Sequence, residues 1–487
     1  MFDSSIKIQA IKGAFWKFSE RILAQLVSFV ISIILARLLT PNDYGLIALV
    51  FVFTTICDKL LVCGFATALI QKKETDDVDF SSVLFFSLGV AFLLYILLFF
   101  VAPLIADFYN HFDRSELISV IRVLGLGLFL VAFNSVQHAY VSKNMLFKRY
   151  FWSTLGGIIL SGVTGVIMAC TGFGVWSLVA QNLVLSIVDG LILFFTVGWR
   201  PSFIFSLKKL YSLFTYGWKI FLASIIKTLY NDLRGLVIAK VYTPSDLAFF
   251  NRGQSLPQLL DSNVTGTIDS VLFPTFSKLQ NDNIKLLNAL RRSVKTSCYV
   301  LMPLLALMVA TASPLVSILL TDKWLPCVPY MQILSCSFIF SPVETENLQV
   351  IKALGRSDIV LKLEIFKKIV GVVLLIVAVP FGIKTIALSI LVYSFLSAIL
   401  NAWSNKKLLN YRWAQQCYDI FPSLGISVIM FVAVRMLLHL IAHTHVFYQL
   451  LITFSFGLIV YIMISKIFNI ESYVYIKQTI KGIMYKR

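Results

Sequence analysis

The chain has 487 residues, 58% of them hydrophobic and only 14% charged, with a formal net charge of +18. A soluble globular domain has nowhere to hide that much apolar surface, so the solvent for most of the chain is lipid. The seven Cys form no C-x-x-C pair, which argues against a disulfide or zinc framework, and no Walker-type G-x-x-x-x-G-K is present, so ATP is not the direct energy source.

Residues 1–20 lack the apolar core of a cleavable signal. Ile8, Ile11, Phe15 and Phe18 recur at helical spacing among lysines, which predicts a helix at the cytoplasmic interface before the chain turns into the membrane. Fourteen apolar windows follow, each long enough to cross a hydrocarbon core of about 30 Å. They cover 17–39, 44–70, 80–103, 115–140, 150–171, 174–198, 212–240, 246–276, 293–320, 327–351, 359–380, 383–403, 419–440 and 446–466. Strand-type alternation is absent, so the expected class is an all-α integral membrane protein of about fourteen transmembrane helices rather than a barrel.

Charge follows the connections. With the N-terminus inside, 30 of the 42 Lys and Arg fall on inner segments, and only Arg37, Arg114, Lys240, Lys323 and Lys384 on outer ones. That asymmetry predicts two cytoplasmic termini and explains the basicity by topology, with no nucleic-acid partner needed.

The first window ends in "ARLLTPNDYG" (36–45) and the seventh in "AKVYTPSDLA" (239–248). In both, Pro cannot continue the helix and Asp can cap the next one. Similar aromatic segments, "GAFW" at 13–16 and "YGWK" at 216–219, open the two windows. The repeat spans six windows, an even number, so the halves share one orientation about an axis along the membrane normal. A weaker echo joins "HAYVSKNMLFKR" (138–149) to "QVIKALGRSD" (349–358). The expected organisation is an N-lobe at 1–200, a C-lobe at 201–404, and an appended helix pair with a basic tail at 405–487. Two like lobes are a transporter plan, in which one site is exposed to each side in turn; a scaffold or a channel is the alternative. The longest outer loop, 104–114, is too short for an outer catalytic domain, and no catalytic constellation is present, so no enzymatic activity is expected.

Ionisable groups inside the windows are costly against lipid and mark cavities or partners. Arg37 ends the first window, Asp58 and Lys59 lie in the second, and Arg122 in the fourth. In the seventh, Lys219, Lys227, Tyr230 and Arg234 share an arc of about 80° at helical spacing, with Asp232 beside them. In the eighth, Gln254, Gln258, Asp261, Thr265 and Asp269 form a polar strip of about the same width, with Arg252 near its outer end and Pro257 bending it. Such a strip suits sugar hydroxyls, or else neighbouring helices. The tenth window adds Glu344, Glu346 and Asn347. Asp58, Asp232, Asp269, Glu344 and Glu346 are candidates for a coupling proton or sodium ion, with interhelical pairing as the alternative. The "HLIAHTH" stretch (439–445) lacks the Glu of H-E-x-x-H and predicts no metal site.

"ILARLLTPNDYGLIAL" after "GAFW", with "FK" after the fourth window and "ALGR" after the tenth, resembles the polysaccharide-transporter branch of the MOP (MATE-like) flippase superfamily. The resemblance runs over essentially the whole chain and is strongest to Wzx-type O-antigen flippases and to colanic-acid and teichuronic-acid exporters. It implies a V-shaped pair of lobes around a cationic central cavity in a bacterial cytoplasmic membrane. It also implies export of undecaprenyl-diphosphate-linked oligosaccharide, coupled to a proton or sodium gradient or to the membrane potential rather than to a bound cofactor. On that reading Lys227, Arg234, Lys59, Arg122, Arg37 and Arg252 attract the diphosphate, and Tyr230 with the eighth-window strip meets the glycan. The expected partners are the lipid-linked oligosaccharide, membrane lipids, and the polymerase and chain-length proteins of the same pathway, with one chain sufficing for function. An ion-coupled multidrug exporter of the same superfamily is the nearest alternative, and a membrane O-antigen polymerase or ligase the alternative of another class.

Overall fold

A computed structural model describes residues 4–62, 64–72 and 74–485. Side chains are described from residue 13 on, except at 14, 216, 219, 220, 223, 267–271, 480 and 482–485. The chain divides into two compact units, Met1–Ala248 and Phe249–Arg487, and among the described residues it contains helices and turns but no strand.

The first unit is built from α1 (Ser4–Leu38), α2 (Pro41–Val62), α3 (Phe65–Gln71), α4 (Asp77–Phe108), α5 (Arg114–Gly125), α6 (Gly127–Lys143), α7 (Phe147–Cys170), α8 (Trp176–Thr196) and α9 (Leu207–Val241). α10 (Pro244–Leu279) begins in it and runs on into the second. There follow α11 (Asn283–Ala310), α12 (Ala312–Leu320), α13 (Val328–Phe338), α14 (Ser341–Ala353), α15 (Ser357–Ala378), α16 (Ile383–Leu409), α17 (Trp413–Leu440), α18 (Val446–Ile467) and α19 (Glu471–Tyr485). Each apolar window has its helix. Among the described residues, eleven helical stretches are long and apolar enough to cross a membrane, and α9, α10 and α15 are not among them. The cause in α15 is its charged first half, with Lys362, Glu364, Lys367 and Lys368.

The N-terminus departs from expectation. α1 is one continuous helix from Ser4 to Leu38, and no turn separates an interfacial segment from the first span; the side chains of Ile8 and Ile11 lie outside the described residues. The fourth and tenth windows are also not single rods. Each is tightened in the middle by an i→i+3 bond, from Leu126 N–H to the Val123 carbonyl and from Phe340 N–H to that of Ser337.

The repeated decapeptides make one local structure twice. The Thr40 N–H and hydroxyl donate to Asp43 Oδ2 at 2.8 and 2.7 Å, while Asp43 N–H donates back to Thr40 Oγ1. Thr243 and Asp246 do the same at 3.2 and 2.7 Å. This is a reciprocal capping box with Pro at the first helical position, where its missing N–H costs nothing. The two turns also touch each other within the first unit. Ser245 donates to Asn42 Oδ1, its own repeat equivalent 203 residues earlier. A Cβ on Gly45 would lie 1.9 Å from the Pro244 carbonyl oxygen, so only glycine permits that approach. The weaker echo is a second matched pair. Leu146 N–H returns to the Val141 carbonyl and Arg356 N–H to that of Ile351, each a Schellman closure through a positive-φ residue, Met145 (φ 53) and Gly355 (φ 71).

In the first unit the core at the basic end gathers Phe65 and Leu69 of α3, Phe80 and Leu84 of α4, Val136 of α6, Leu193 of α8 and Leu210 of α9. The segment before α9 is stitched to the start of α4: Ser202 and Ser206 donate backbone N–H groups to the hydroxyls of Ser81 and Ser82, and Lys209 pairs with Asp76.

In the second unit α17 and α18 are integral. Ile426, Met430 and Val434 of α17 and Tyr461 of α18 close over Tyr299 and Leu307 of α11. Asp419 of α17 accepts two bonds from Arg291 at 2.7 and 2.8 Å and one from the Tyr411 hydroxyl at 2.7 Å. Nearby, the buried amides of Asn347, Asn405 and Gln416 bond one another across α14, α16 and α17. Buried polar groups that satisfy one another in this way fix a register that an apolar seam leaves loose.

Candidate functional site

α9 presents the basic strip. Its first turn is anchored in the core at Leu210 and Leu213, and its far end is pinned where Lys240 donates to the Phe108 carbonyl at 2.5 Å. Between those anchors Lys227 is exposed, and Tyr230, Asp232 and Arg234 are half-buried. The Arg234 guanidinium stands 5.7 Å from the Tyr230 ring centre, a cation–π distance that orders the pair along one face. The side chain of Lys219 lies outside the described residues. α9 packs along α2, where Val52 approaches Gly235 and Cys57 is buried. On α2 itself Lys59 is exposed and Asp58 half-buried.

The other expected cations of the first unit have different settings. Arg37 is exposed at the end of α1. Arg122 lies 3.9 Å over the Phe99 ring and its Nε–H donates to the Phe99 carbonyl at 3.4 Å, so its guanidinium rests against α4.

On α10, in the second unit, the Arg252 guanidinium sits 5.5 Å from the buried Trp324 ring. Gly253 lets α10 approach the start of α13, since a Cβ there would meet the Met331 backbone nitrogen at 2.9 Å. Gln254 and Asp261 are half-buried and Gln258 is exposed. The Thr265 hydroxyl donates to the Asp261 carbonyl of its own helix at 2.6 Å. The side chain of Asp269 lies outside the described residues.

The two glutamates of α14 sit in interhelical bonds. Glu344 Oε1 accepts from Lys367 of α15 at 3.2 Å and from Ser397 of α16 at 2.5 Å. Lys367 is only 2% exposed and also pairs with Glu364 at 2.6 Å. Glu346, equally buried, accepts from the Ser297 hydroxyl of α11. These contacts tie helices together within the second unit. The partners of Glu344 and Glu346 were hidden in the sequence because each lies at least 23 residues away along the chain.

Sequence reasoning also passed over a pair in the first unit. His138 of α6 meets Asp189 of α8 at 2.8 Å, with the Tyr150 ring centre 4.8 Å from the imidazole. The signal was available: Asp189 is the only acid in its apolar window.

The profile of the polysaccharide biosynthesis protein family matches residues 34–329. The teichuronic acid biosynthesis protein TuaB of Bacillus subtilis is 25% identical over 363 residues, 73% of each chain. The lipopolysaccharide biosynthesis protein WzxC of Escherichia coli is 23% identical over 74% of each chain, and the succinoglycan biosynthesis transport protein ExoT of Rhizobium meliloti is 24% identical over 68% of this one. In fold, a lipid II flippase MurJ in an inward closed conformation superposes with a TM-score of 0.74 at 15% identity, covering 94% of this chain and 98% of that one. An inward-facing multidrug-resistance MATE transporter of the MOP superfamily gives 0.59, covering 80% and 94%.

Proposed function

This chain belongs to the polysaccharide biosynthesis protein family, and from that premise we propose that it is a flippase for a lipid-linked oligosaccharide. It carries an undecaprenyl-diphosphate-linked repeat unit from the inner to the outer leaflet of a bacterial cytoplasmic membrane, crossing that membrane fourteen times with both termini inside. It works by alternating access, as one chain, and feeds the polymerase and chain-length proteins that consume its product. It uses a proton or sodium gradient or the membrane potential.

The observation that carries this reading is α9, a helix at a membrane-spanning position that spends its apolar character on Lys227, Asp232 and Arg234. Each such charge costs about 2.5–3.5 kcal/mol at a bilayer centre, so a helix keeps several only where they meet an anion or water. A diphosphate crossing a low-dielectric region needs counter-charges along its route, which Lys and Arg supply. Lys227 and Arg234 lead, with Lys59, Arg37, Arg122 and Arg252 as further points of attraction. Tyr230 and the strip of Gln254, Gln258, Asp261 and Thr265 meet the sugars. Asp58, Asp232, Asp269, Glu344 and Glu346 are the groups through which a coupling ion acts. A multidrug exporter of the same fold would instead favour acidic groups facing cationic drugs.

The test is flipping in proteoliposomes. Purified protein should translocate a fluorescent undecaprenyl-diphosphate oligosaccharide at least about tenfold faster than its uncharged undecaprenol glycoside, the worth of one charge-assisted contact. Equal rates for the two would remove the diphosphate from the account.

A further inference from the structure

The second unit contains a cavity lined mainly by polar residues, none of them among those assigned above to the substrate or the coupling ion. Its volume is about 380 Å³, and it lies where α11 meets α19. Arg292 and Lys295 line it from α11; Asn469, Glu471, Tyr475 and Gln478 line it from the α18–α19 turn and from α19. Its walls are held independently of any ligand. Ile470, Tyr473 and Ile476 pack against the core around Tyr299 and Tyr461, which seats α19 on α11 and α18.

The charges of the cavity are unevenly matched. Asp419, the buried carboxylate beside it, already takes two bonds from Arg291 and one from Tyr411. Lys295 reaches Asp419 at 3.3 Å and Glu471 at 2.7 Å. Arg292 is exposed, its guanidinium 5.0 Å from the Tyr475 ring centre, and among the described residues no carboxylate lies within ion-pair distance of it. The cavity therefore offers a guanidinium fork, an ammonium and two side-chain amides against one exposed carboxylate.

We propose that this cavity binds a phosphate ester and that its occupant in the membrane is the headgroup of an anionic phospholipid. Arg292 presents paired N–H donors to two phosphate oxygens while its plane rests on Tyr475. Lys295 adds a point charge, and its link to Glu471 is the one a phosphate displaces. Asn469 and Gln478 serve the ester and hydroxyl oxygens. The volume falls in the range of small-molecule sites and fits a glycerophosphate group. The positive-inside arrangement puts this end at the cytoplasmic surface, where anionic lipids gather around basic segments and where tyrosines settle at headgroup level. Lys477 and Lys481 on α19 add to that attraction.

The experiment uses the full chain in detergent, titrated calorimetrically with dioctanoyl phosphatidylglycerol, dioctanoyl phosphatidylcholine and sn-glycerol 3-phosphate. Phosphatidylglycerol should bind about tenfold more tightly than phosphatidylcholine, and Arg292→Ala should abolish that preference. Glu471→Gln, which frees Lys295, should tighten binding severalfold. Lys295→Ala is avoided because Lys295 also supports Asp419; Arg292→Ala and Glu471→Gln leave that contact intact, and a melting curve for each checks folding. If glycerol 3-phosphate binds as tightly as the lipid, the phosphate site stands and its occupant is the soluble ester. Equal affinity for both lipids, or affinity for phosphatidylglycerol that neither substitution alters, would overturn the proposal. None of these readings depends on transport.

Discussion

Asp76 and Lys209 show how single residues join distant parts of the first unit. The Lys209 ammonium and the Asp79 backbone N–H, in that order of strength, hold the Asp76 carboxyl at about 2, below the ordinary value of about 3.9. A carboxyl lowered by folding contributes stability that is complete above the unfolded value and is lost as pH falls through the folded one. Thermal stability of the wild type should therefore decline between about pH 4 and pH 2, and Asp76→Asn should flatten that decline while lowering stability at neutral pH. Parallel curves for the two proteins would show that the pair contributes nothing. Single residues were also the scale at which the sequence spoke least completely. The cations of α9 and the polar strip of α10 were legible because helical spacing alone collects them on one face. The bonds from Glu344 to Lys367 and Ser397, and from His138 to Asp189, were not, because burial and partnership between remote segments leave no local periodicity. Lys367 reads as one charge among several on α15, yet it is the most deeply buried lysine described.

At the scale of elements, the repeat is a repeat of helix ends. Thr-Pro-x-Asp was readable as a breaker followed by a cap, because both functions are written in four adjacent residues. What no local pattern could reveal is that the two caps meet, Asn42 against Ser245 and Gly45 against Pro244. The Schellman pair carries a measurable asymmetry. Gly355 adopts its left-handed turn freely, whereas Met145 does so against a steric cost of about 1–2 kcal/mol. Met145→Gly should thus raise the melting temperature, by an amount worth about 1 kcal/mol, and Gly355→Val should lower it by a similar amount. A destabilised Met145→Gly protein would mean that packing of the methionine side chain outweighs its backbone strain. The expected break after an interfacial N-terminal helix failed for a physical reason of the same kind. Ser4–Leu38 contains no Pro and a single Gly, Gly13, so α1 has no strong breaker to stop it.

For the whole molecule, hydropathy carries most of the helical architecture, because lipid leaves a chain few ways to satisfy its backbone; the placement of Lys and Arg adds an expected orientation. Among the described residues, two exposed cysteines make the expected topology testable: Cys170 at the end of α7 and Cys417 in the first turns of α17. A membrane-impermeant maleimide applied to intact spheroplasts should label Cys170 and should reach Cys417 only after lysis. The opposite pattern would invert the orientation. Three helices whose described residues fall short of an apolar span, α9, α10 and α15, are the other whole-molecule feature. In α15 the charges meet one another through Lys367, whereas α9 and α10 carry the strips assigned to the substrate. The central claim is that the cations of α9 attract the diphosphate, and the most direct measurement compares flipping rates of wild type, Lys227→Ala, Arg234→Ala and Lys227→Arg in proteoliposomes. The account predicts a loss of about tenfold for each alanine variant and near-complete retention in Lys227→Arg. Wild-type rates in both alanine variants, with folding and incorporation unchanged, would contradict it.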